Sequence, residues 1–573
     1  MDAVIERRRS NDAVNFPGMP KVIQNILTAR GVAEPSDIDY QLNQLLPFTS
    51  LSNIEQAAKR LADAVSLGEH ILIVGDFDVD GATSTTVAVL SLRAMGAQQV
   101  SYLVPNRFEY GYGLSSAIVD VAAKMKPDLI VTVDNGISSV DGVKRAREYG
   151  IDVLVTDHHL PGEQLPEDCI IVDPSLHGDI FPSKSLAGVG VIFYVMLALR
   201  AELKAQSFFE NKNIANVNMS QFLDLVALGT VADLVPLDKN NRILVKQGLR
   251  RIRQNSTRPG IQALIDVSKR NIQELVANDF GFAIAPRLNA AGRLDDMSLG
   301  IECLLSSDYK TARAMAEQLD SLNIERKAIE QQMKLEAVKL VDKINLQPTD
   351  SYGLCLYEKS WHQGVVGLVA SRIKDQAYKP VIAFADAGDG SLKGSGRSIP
   401  GLNLRDVLQR VDTLEPGLLL KFGGHAMAAG MSIMAASFDR FHELFNEAVL
   451  QMTASDLFNK VWLTDGELSA DSFTLDMACL IQEHGPWGQG FPEPIFDGVF
   501  DIIDQRIVGG NHLKLSLQPA GGLYPVDAIC FYVDTEIWPN HNCSQLKAIY
   551  QLDVNLFRDT KKLQLIVQSI WAL

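Results

Sequence analysis

The stretch GDFDVDGATS, residues 75–84, places three carboxylates, Asp76, Asp78 and Asp80, within five residues directly after the apolar run ILIV. Carboxylates so crowded repel one another, and a bound cation removes that cost. Asp and Gly are also ordinary turn residues, so the stretch alone fits an acidic turn. Other parts of the chain bear on the choice. Residues 157–159 are DHH, again just after an apolar run, LVT; Asp134 stands in VDNG at the same point of another, and Asp233 follows the apolar segment FLDLVALGTVA. Singly, Asp134 could cap a helix and Asp233 could be a buried hydrogen-bonding carboxylate. Together, Asp76, Asp78, Asp80, Asp134, His158, His159 and Asp233 would form a negative cluster that only cations could support. Hard oxygen donors with some imidazole suit Mn2+ or Mg2+ better than zinc. So many donors can hold two ions ~3.5–4 Å apart, the arrangement used for in-line phosphoryl displacement.

Something must bring these donors together. Between residues 70 and 175, short β-rich runs alternate with helical stretches: ILIVGD (71–76), QVSYLVP (99–105), LIVTVDNG (129–136), DVLVTDHH (152–159) and IIVDP (170–174). Unbroken Val/Ile/Leu runs of this kind predict an α/β fold with a parallel sheet covered on both faces. The polar residues fall at the C-terminal end of each run, the edge at which open parallel sheets bind ligands. Residues 307–342 read as one long helix, with Met315, Leu319, Leu322, Ile329, Met333, Ala337 and Leu340 at spacings of three, four and seven. At ~1.5 Å per residue such a helix runs roughly 50 Å and suits a spacer between two lobes. A second α/β segment opens at YGLCLY, and from about 455 short alternating runs with Gly/Pro turns, VFDIIDQRIVGGNHLKLSL (499–517) and LKAIYQLDVNLF (546–557), predict a small antiparallel β-barrel.

The chain, at 573 residues, is too long for one core, and its 47% hydrophobic and 21% charged content is that of a globular protein. Its six cysteines are scattered, with no C-x-x-C pair, which argues against a zinc knuckle or disulfide framework and suits a reducing cytosol. MDAVIERRRSNDAV has no apolar core for a signal peptide, and GVGVIFYVMLAL (188–199) is too short to span a bilayer and reads as a buried helix. A cytoplasmic protein without a membrane anchor is expected. The net charge of −16 argues against general polyanion binding, yet residues 241–295 hold ten Lys/Arg against four Asp/Glu. A polyanion groove and a solvated helix face account for that band equally.

DFDVDG, VDNG, DHH and the later aspartate resemble the DHH phosphoesterase superfamily. PNRFEYGYGLS (105–115), LAGVGV (186–191), DLVPLDKNNR (233–242), APRLNAAGR (285–293), WHQGVVG (361–367), GSGRS (394–398) and GGHAMAAG (423–430) extend the resemblance, in order, to its bacterial single-strand-specific DNA exonucleases. The departures are Phe77 and Val79, where Tyr and Ala are usual, and Asp173, where Asn is common. Neither of the first two removes a ligand; Asp173 alters the local charge. The resemblance implies that Asp78, Asp80, Asp134, His158 and Asp233 ligate two divalent cations, Mn2+ or Mg2+, with Asp134 bridging. It gives Asp76, Asp157 and His159 supporting or proton-handling roles. It implies that Arg107, Arg287, Asn289, Arg293, Arg397 and His425 contact DNA phosphates, as guanidinium forks do. Trp361 and Trp487 could stack on bases but are more often core.

The same resemblance implies a division into an N-terminal extension (1–45), a DHH catalytic domain (46–300), a connecting helix (301–346), a DHH-associated α/β domain (347–452) and an OB-like nucleic-acid-binding barrel (453–573). The implied activity is 5′→3′ degradation of single-stranded DNA to mononucleotides, in DNA repair and recombination, by a monomer working with a helicase and a single-strand-binding protein. Phosphodiester hydrolysis of short oligonucleotides or cyclic dinucleotides, and a catalytically dead DNA-binding scaffold, are the alternatives. The long helix and barrel favour a polymer substrate over the first, and intact carboxylates at every expected ligand position count against the second.

Overall fold

The computed structural model describes residues 4–106, 113–343, 352–453, 455–557 and 560–573. They form two compact units, one of Glu6–Asp320 with Leu463–Leu573, the other of Met1–Ile5 with Ser321–Trp462.

The first unit is built on strands β1 (His70–Val74), β2 (Gln99–Leu103), β3 (Leu129–Val133), β4 (Asp152–Thr156) and β5 (Ile170–Val172), all parallel, in the order β2-β1-β3-β4-β5. These are the five runs expected from the sequence. Because the chain leaves β1 for β2 on one side and returns to β3 on the other, a crevice opens beyond the C-terminal ends of β1 and β3. Leu72, Val74, Ile130, Val153 and Val155 pack one face against Leu114, Ile118 and Val143. Three helices meet the functional edge: α1 (Val79–Ala94), buried on nearly every side, α2 (Gly188–Ala205), which contains the expected buried run, and α3 (Leu223–Ala232). α4 (Lys239–Arg253) and α5 (Ala285–Leu294) follow. No described helix is long and apolar enough to cross a membrane.

Four of the ten cations of the basic band serve structure. Arg242 donates to the Leu237 and Asp37 carbonyls, Lys246 to those of Glu483 and Gly485, and Arg253 to that of Leu275, while Arg258 pairs with buried Asp224. A polyanion groove is therefore not needed to explain these four.

The barrel belongs to this unit. Strands Phe496–Val508, His512–Pro519, Val526–Cys530, Gln545–Phe557 and Thr560–Ala572 close on themselves. The pairing is antiparallel except between Val526–Cys530 and Thr560–Ala572, which run parallel. That pair departs from the all-antiparallel expectation; a five-stranded Greek-key barrel closes by bringing its third and fifth strands side by side.

The N-terminal segment fastens the barrel to the catalytic part. Arg30 forks onto Asp465 at 2.6 and 2.9 Å and also donates to the Pro492 and Ile26 carbonyls, with the two side chains 1% and 2% exposed. Its guanidinium lies over Trp487, which stacks on Phe491, and Arg242 covers the Phe491 ring. Arg7 pairs with Asp497 from a half-exposed position.

In the second unit, Leu354–Tyr357 and Val381–Asp386 pair in parallel. Ser391–Arg397, Ala428–Met434 and Leu419–Gly424 extend the sheet antiparallel around Phe384, Phe441 and Phe445. The expected long helix is α6, Tyr309–Lys343, and the division between the units falls within it. Its buried stripe shares Leu319, Met333 and Ala337 with the expected one and otherwise runs through Ala312, Ala316, Asn323, Arg326 and Glu330. Met315, Leu322 and Ile329 sit at its margins. The polar trio can be buried because its members pair with one another, Arg326 reaching Glu330 at 2.7 Å and Asn323 at 2.9 Å, with Arg372 adding a bond to Glu330 at 2.8 Å. Trp361 and Trp487 are both buried and hydrogen-bonded, by Glu336 and the Ile481 carbonyl, so neither is an open stacking platform.

Candidate metal centre

Each donor is set by its element. Asp76 follows β1, and Asp78 caps α1 by accepting from the Gly81 amide. Asp80, in the first turn of α1, accepts the Gly188 and Val189 amides at 2.6 and 2.9 Å, so the N-terminus of α2 holds it. Asp134 follows β3 with φ 62°, a left-handed conformation uncommon for a residue other than glycine. Gly188 lies so close that a Cβ there would meet the Asp134 Cβ at 2.6 Å, which accounts for a glycine in LAGVGV. Similarly, a Cβ on Gly292 of α5 would strike the Phe77 carbonyl oxygen at 1.9 Å, so APRLNAAGR is pressed against the first acidic motif. His158 and His159 follow β4, and Asp233 ends α3.

The side chains converge. His158 Nε2 lies 3.1 Å from Asp134, 3.5 Å from Asp233 and 4.0 Å from Asp80. Three donor sets have ligand atoms within 4.8 Å of one another: Asp134, His158 and His159; Asp80, His158 and Asp233; and Asp76, Asp78 and Asp134. Asp134 belongs to two of them. Asp76, expected only to support the ligands, has the geometry of a ligand as well.

Burial, then the charges of neighbouring carboxylates, pushes Asp134 and Asp233 well above the ordinary carboxylate range, and burial and Asp78 raise Asp80 to about 7 against the opposing Val189 and Gly188 amides. Carboxylates held together at such electrostatic cost, all hard oxygen donors around imidazole, fit divalent cations of the Mn2+ or Mg2+ type.

Asp157 does something else. Its Oδ1 accepts from the His158 amide, the His159 amide and His159 Nδ1, and its Oδ2 accepts from the Ile137 amide. It thereby fixes the DHH turn. Burial disfavours the charge on His159, but the Asp157 hydrogen bond and charge outweigh it and carry the imidazole up to about 9. Asp173, raised to about 8 by burial and the Asp157 charge, accepts from the Ser175 amide, and the Ser175 hydroxyl donates to the His158 carbonyl. The motifs singled out Asp173 but not Ser175, whose contribution depends on a loop closing back on the histidine.

A histidine pKa raised on folding adds stability that is complete below ~6.5 and is lost as pH rises through about 9. In metal-free protein, Asp157→Asn is therefore expected to lower the His159 pKa and to cost most stability below that window. Imidazole NMR titration of both proteins checks this; an unmoved His159 resonance would refute the pairing.

Of the anticipated phosphate contacts, Arg107 lies outside the described residues. Asn289 and Arg293 lie on α5, the helix pressed on Phe77. Arg287 is engaged by Asp320 at 2.8 Å and by the Ala283 carbonyl. Arg397 and His425 are in the second unit, Arg397 donating to the Gly396 carbonyl and Ser395 hydroxyl, His425 in the hairpin turn between Leu419–Gly424 and Ala428–Met434. Of the barrel region's cations, Lys561 is taken by Glu274 and Lys460 lies over Trp462.

Residues 70–230 match the DHH family, N-terminal domain, residues 350–451 the DHHA1 domain, and residues 464–569 the RecJ OB domain. The chain is 51% identical over 571 residues to the single-stranded-DNA-specific exonuclease RecJ of Escherichia coli, covering 99% of each protein. It is 34% identical to the Bacillus subtilis protein of that name, over 91% of this chain and 64% of that one. Among solved structures, Thermus thermophilus RecJ in complex with Mn2+ is similar with a TM-score of 0.78 and 27% identity, over 96% of this chain and 75% of that one. Its Mg2+ complex gives 0.71 and 26%, over 95% and 73%. The likeness runs the length of the chain through the catalytic sheet, the associated domain and the barrel, and the chain belongs to the RecJ family.

Proposed function

We propose that the chain is a metal-dependent exonuclease that hydrolyses single-stranded DNA from its 5′ end, releasing mononucleotides in DNA repair and recombination. The observation that carries this reading is the crowding of five aspartates and two histidines at the crevice between β1 and β3. Asp78, Asp80, Asp134, His158 and Asp233 would hold two divalent cations, with Asp134 shared and Asp76 able to join. Bound there, the cations would neutralise the phosphate and lower the pKa of a water. The α2 amides keep Asp80 oriented, and Asp157 keeps both histidines oriented. His159, protonated through its contact with Asp157, is suited to give a proton to the departing oxygen. Arg107, Arg287, Asn289, Arg293, Arg397 and His425 would carry backbone phosphates; Arg287 would have to exchange Asp320 for one.

Single strands with a 5′ end are the proposed substrate, in the cytoplasm. Unwinding by a helicase, with single-strand-binding protein on the product strand, is the proposed source of that substrate. The test is digestion of 5′-labelled single strands with Mn2+ or Mg2+, alongside blunt duplex and a cyclic dinucleotide. Rapid loss of label from the single strand alone is expected. Equal digestion of blunt duplex without a helicase, or of strands with a blocked 5′ end, would defeat the reading.

A further inference from the structure

Within the cluster, Asp80, Asp134 and Asp157 are sealed, whereas Asp233 and His159 are 22% and 29% exposed. With Asp78, also part-exposed, these two mark its mouth. The residue after each of the two is a leucine with its side chain in solvent: Leu160, 63% exposed, and Leu234, 70% exposed. A lone exposed leucine needs no explanation. Two at the mouth of a site otherwise built from charge are a different matter.

Leu234 is also strained. Its φ is +61°, in the left-handed region, at the position just past the end of α3. Helices often end this way, most often with glycine or asparagine because a Cβ there is penalised, although Lys269 and Tyr378 end helices alike in this chain. A leucine with most of its surface in water recovers little of that penalty through burial. The conformation is nevertheless fixed on both sides. The Leu234 amide donates to the Val231 carbonyl, the Leu237 amide donates to the Gln489 carbonyl at 2.6 Å, and Asn241 Nδ2 holds the Pro236 carbonyl. Local strain kept in place by its surroundings, at a functional site, points to a use for the side chain.

We infer that Leu234, with Leu160, is a positioning residue that packs against the nucleobase of the nucleotide at the scissile phosphate. The inference rests on the exonuclease reading above and adds the group that steadies the base. A nucleotide whose phosphate enters the cluster would carry its base out along this part-exposed side. Isobutyl groups there take the base face out of water and offer no hydrogen-bonding group, so they accept any base.

The experiment uses the full chain, Leu234→Asn, which suits the left-handed backbone, and Leu160→Asn. Two 5′-phosphorylated single strands are compared, one ordinary and one with its first two nucleotides replaced by abasic tetrahydrofuran residues. For the parent, the abasic end is expected to lower kcat/KM about tenfold. Leu234→Asn is expected to lower kcat/KM on the ordinary strand by a similar factor, change it less than twofold on the abasic strand, and melt no lower than the parent. Leu160→Asn is expected to follow the same pattern. Equal losses on both strands, or none on either, would overturn the inference. A parent protein that cleaves neither strand would instead defeat the exonuclease reading.

Discussion

Asp134→Ala is expected to leave a folded protein whose turnover of single-stranded DNA falls on the order of a thousandfold or more, at ~1.4 kcal/mol of transition-state stabilisation per tenfold. Asp134 is the one carboxylate that two of the donor sets share, and it faces His158 at 3.1 Å. With Asp134 as a shared ligand, its loss would weaken the hold on both cations at once. Stability should not follow activity downward, because Asp134 is a buried carboxylate whose ionisation is opposed by burial and by Asp80, Asp78 and Asp233. Alanine is strained at φ 62°, so Asp134→Asn, which accepts that backbone, is the companion variant. Single-turnover rates, melting temperature and Mn2+ stoichiometry together decide. A near-parental rate in a folded variant that still binds two ions would refute the shared-ligand role.

The largest loss of stability should come from a residue far from the chemistry. Asp465→Ala leaves Arg30 charged and almost fully buried, stripped of its bidentate partner, and breaking one side of such a pair costs about 3–5 kcal/mol. Asp465 also accepts from the Ile495 amide, so the start of the barrel loses an anchor as well. Asp497→Ala is a useful contrast, because its partner Arg7 is half exposed and such pairs contribute less. Denaturant unfolding of the three proteins tests this ranking. If Asp465→Ala unfolds at the same midpoint as the parent, the clasp carries no stability. Deletion of everything beyond residue 455 would remove Asp465, Trp487 and Phe491 together. It would expose a buried arginine as well as remove a binding domain, which makes truncation a poor isolated test of what the barrel binds.

How far the sequence reaches depends on how local the signal is. Four of the five parallel strands were legible as Val/Ile/Leu-rich runs with no alternation to mislead, whereas the edge strand Gln99–Leu103, QVSYL and only half-buried, was legible from its place in the β/α alternation. The acidic cluster was legible because the aspartates close those runs, and strand ends must meet at one edge of the sheet. That Asp76 converges with Asp78 and Asp134 was not legible, because motif position does not measure side-chain convergence. The stripe of α6 was placed only in part, at Leu319, Met333 and Ala337, because Met315, Leu322 and Ile329 repeat at the same spacing of seven as the buried residues, and a period fixes no phase. Choosing the phase required Asn323, Arg326 and Glu330 to be recognised as pairing with one another, which involves Arg372, more than forty residues away. The left-handed backbone of Leu234 gave no signal although the residue lies in DLVPLDKNNR, since leucine is not a residue from which that conformation is expected.

The Arg30–Asp465 pair has a consequence for how the chain is made. Its partners are 435 residues apart, and Arg7 and Asp497 are separated by 490. At roughly 5–20 residues per second of synthesis, Arg30 emerges from the ribosome about 20–90 s before the carboxylate that compensates it. The parallel sheet has every strand it needs once Val172 is made, and from Arg242 onward the arginines destined for Trp487 and Phe491 wait uncovered. The nascent catalytic domain must therefore persist as an unclasped intermediate with an uncompensated flank. Synthesis that stalls between the end of α6 and residue 465 should yield a species that chaperones hold and proteases clear.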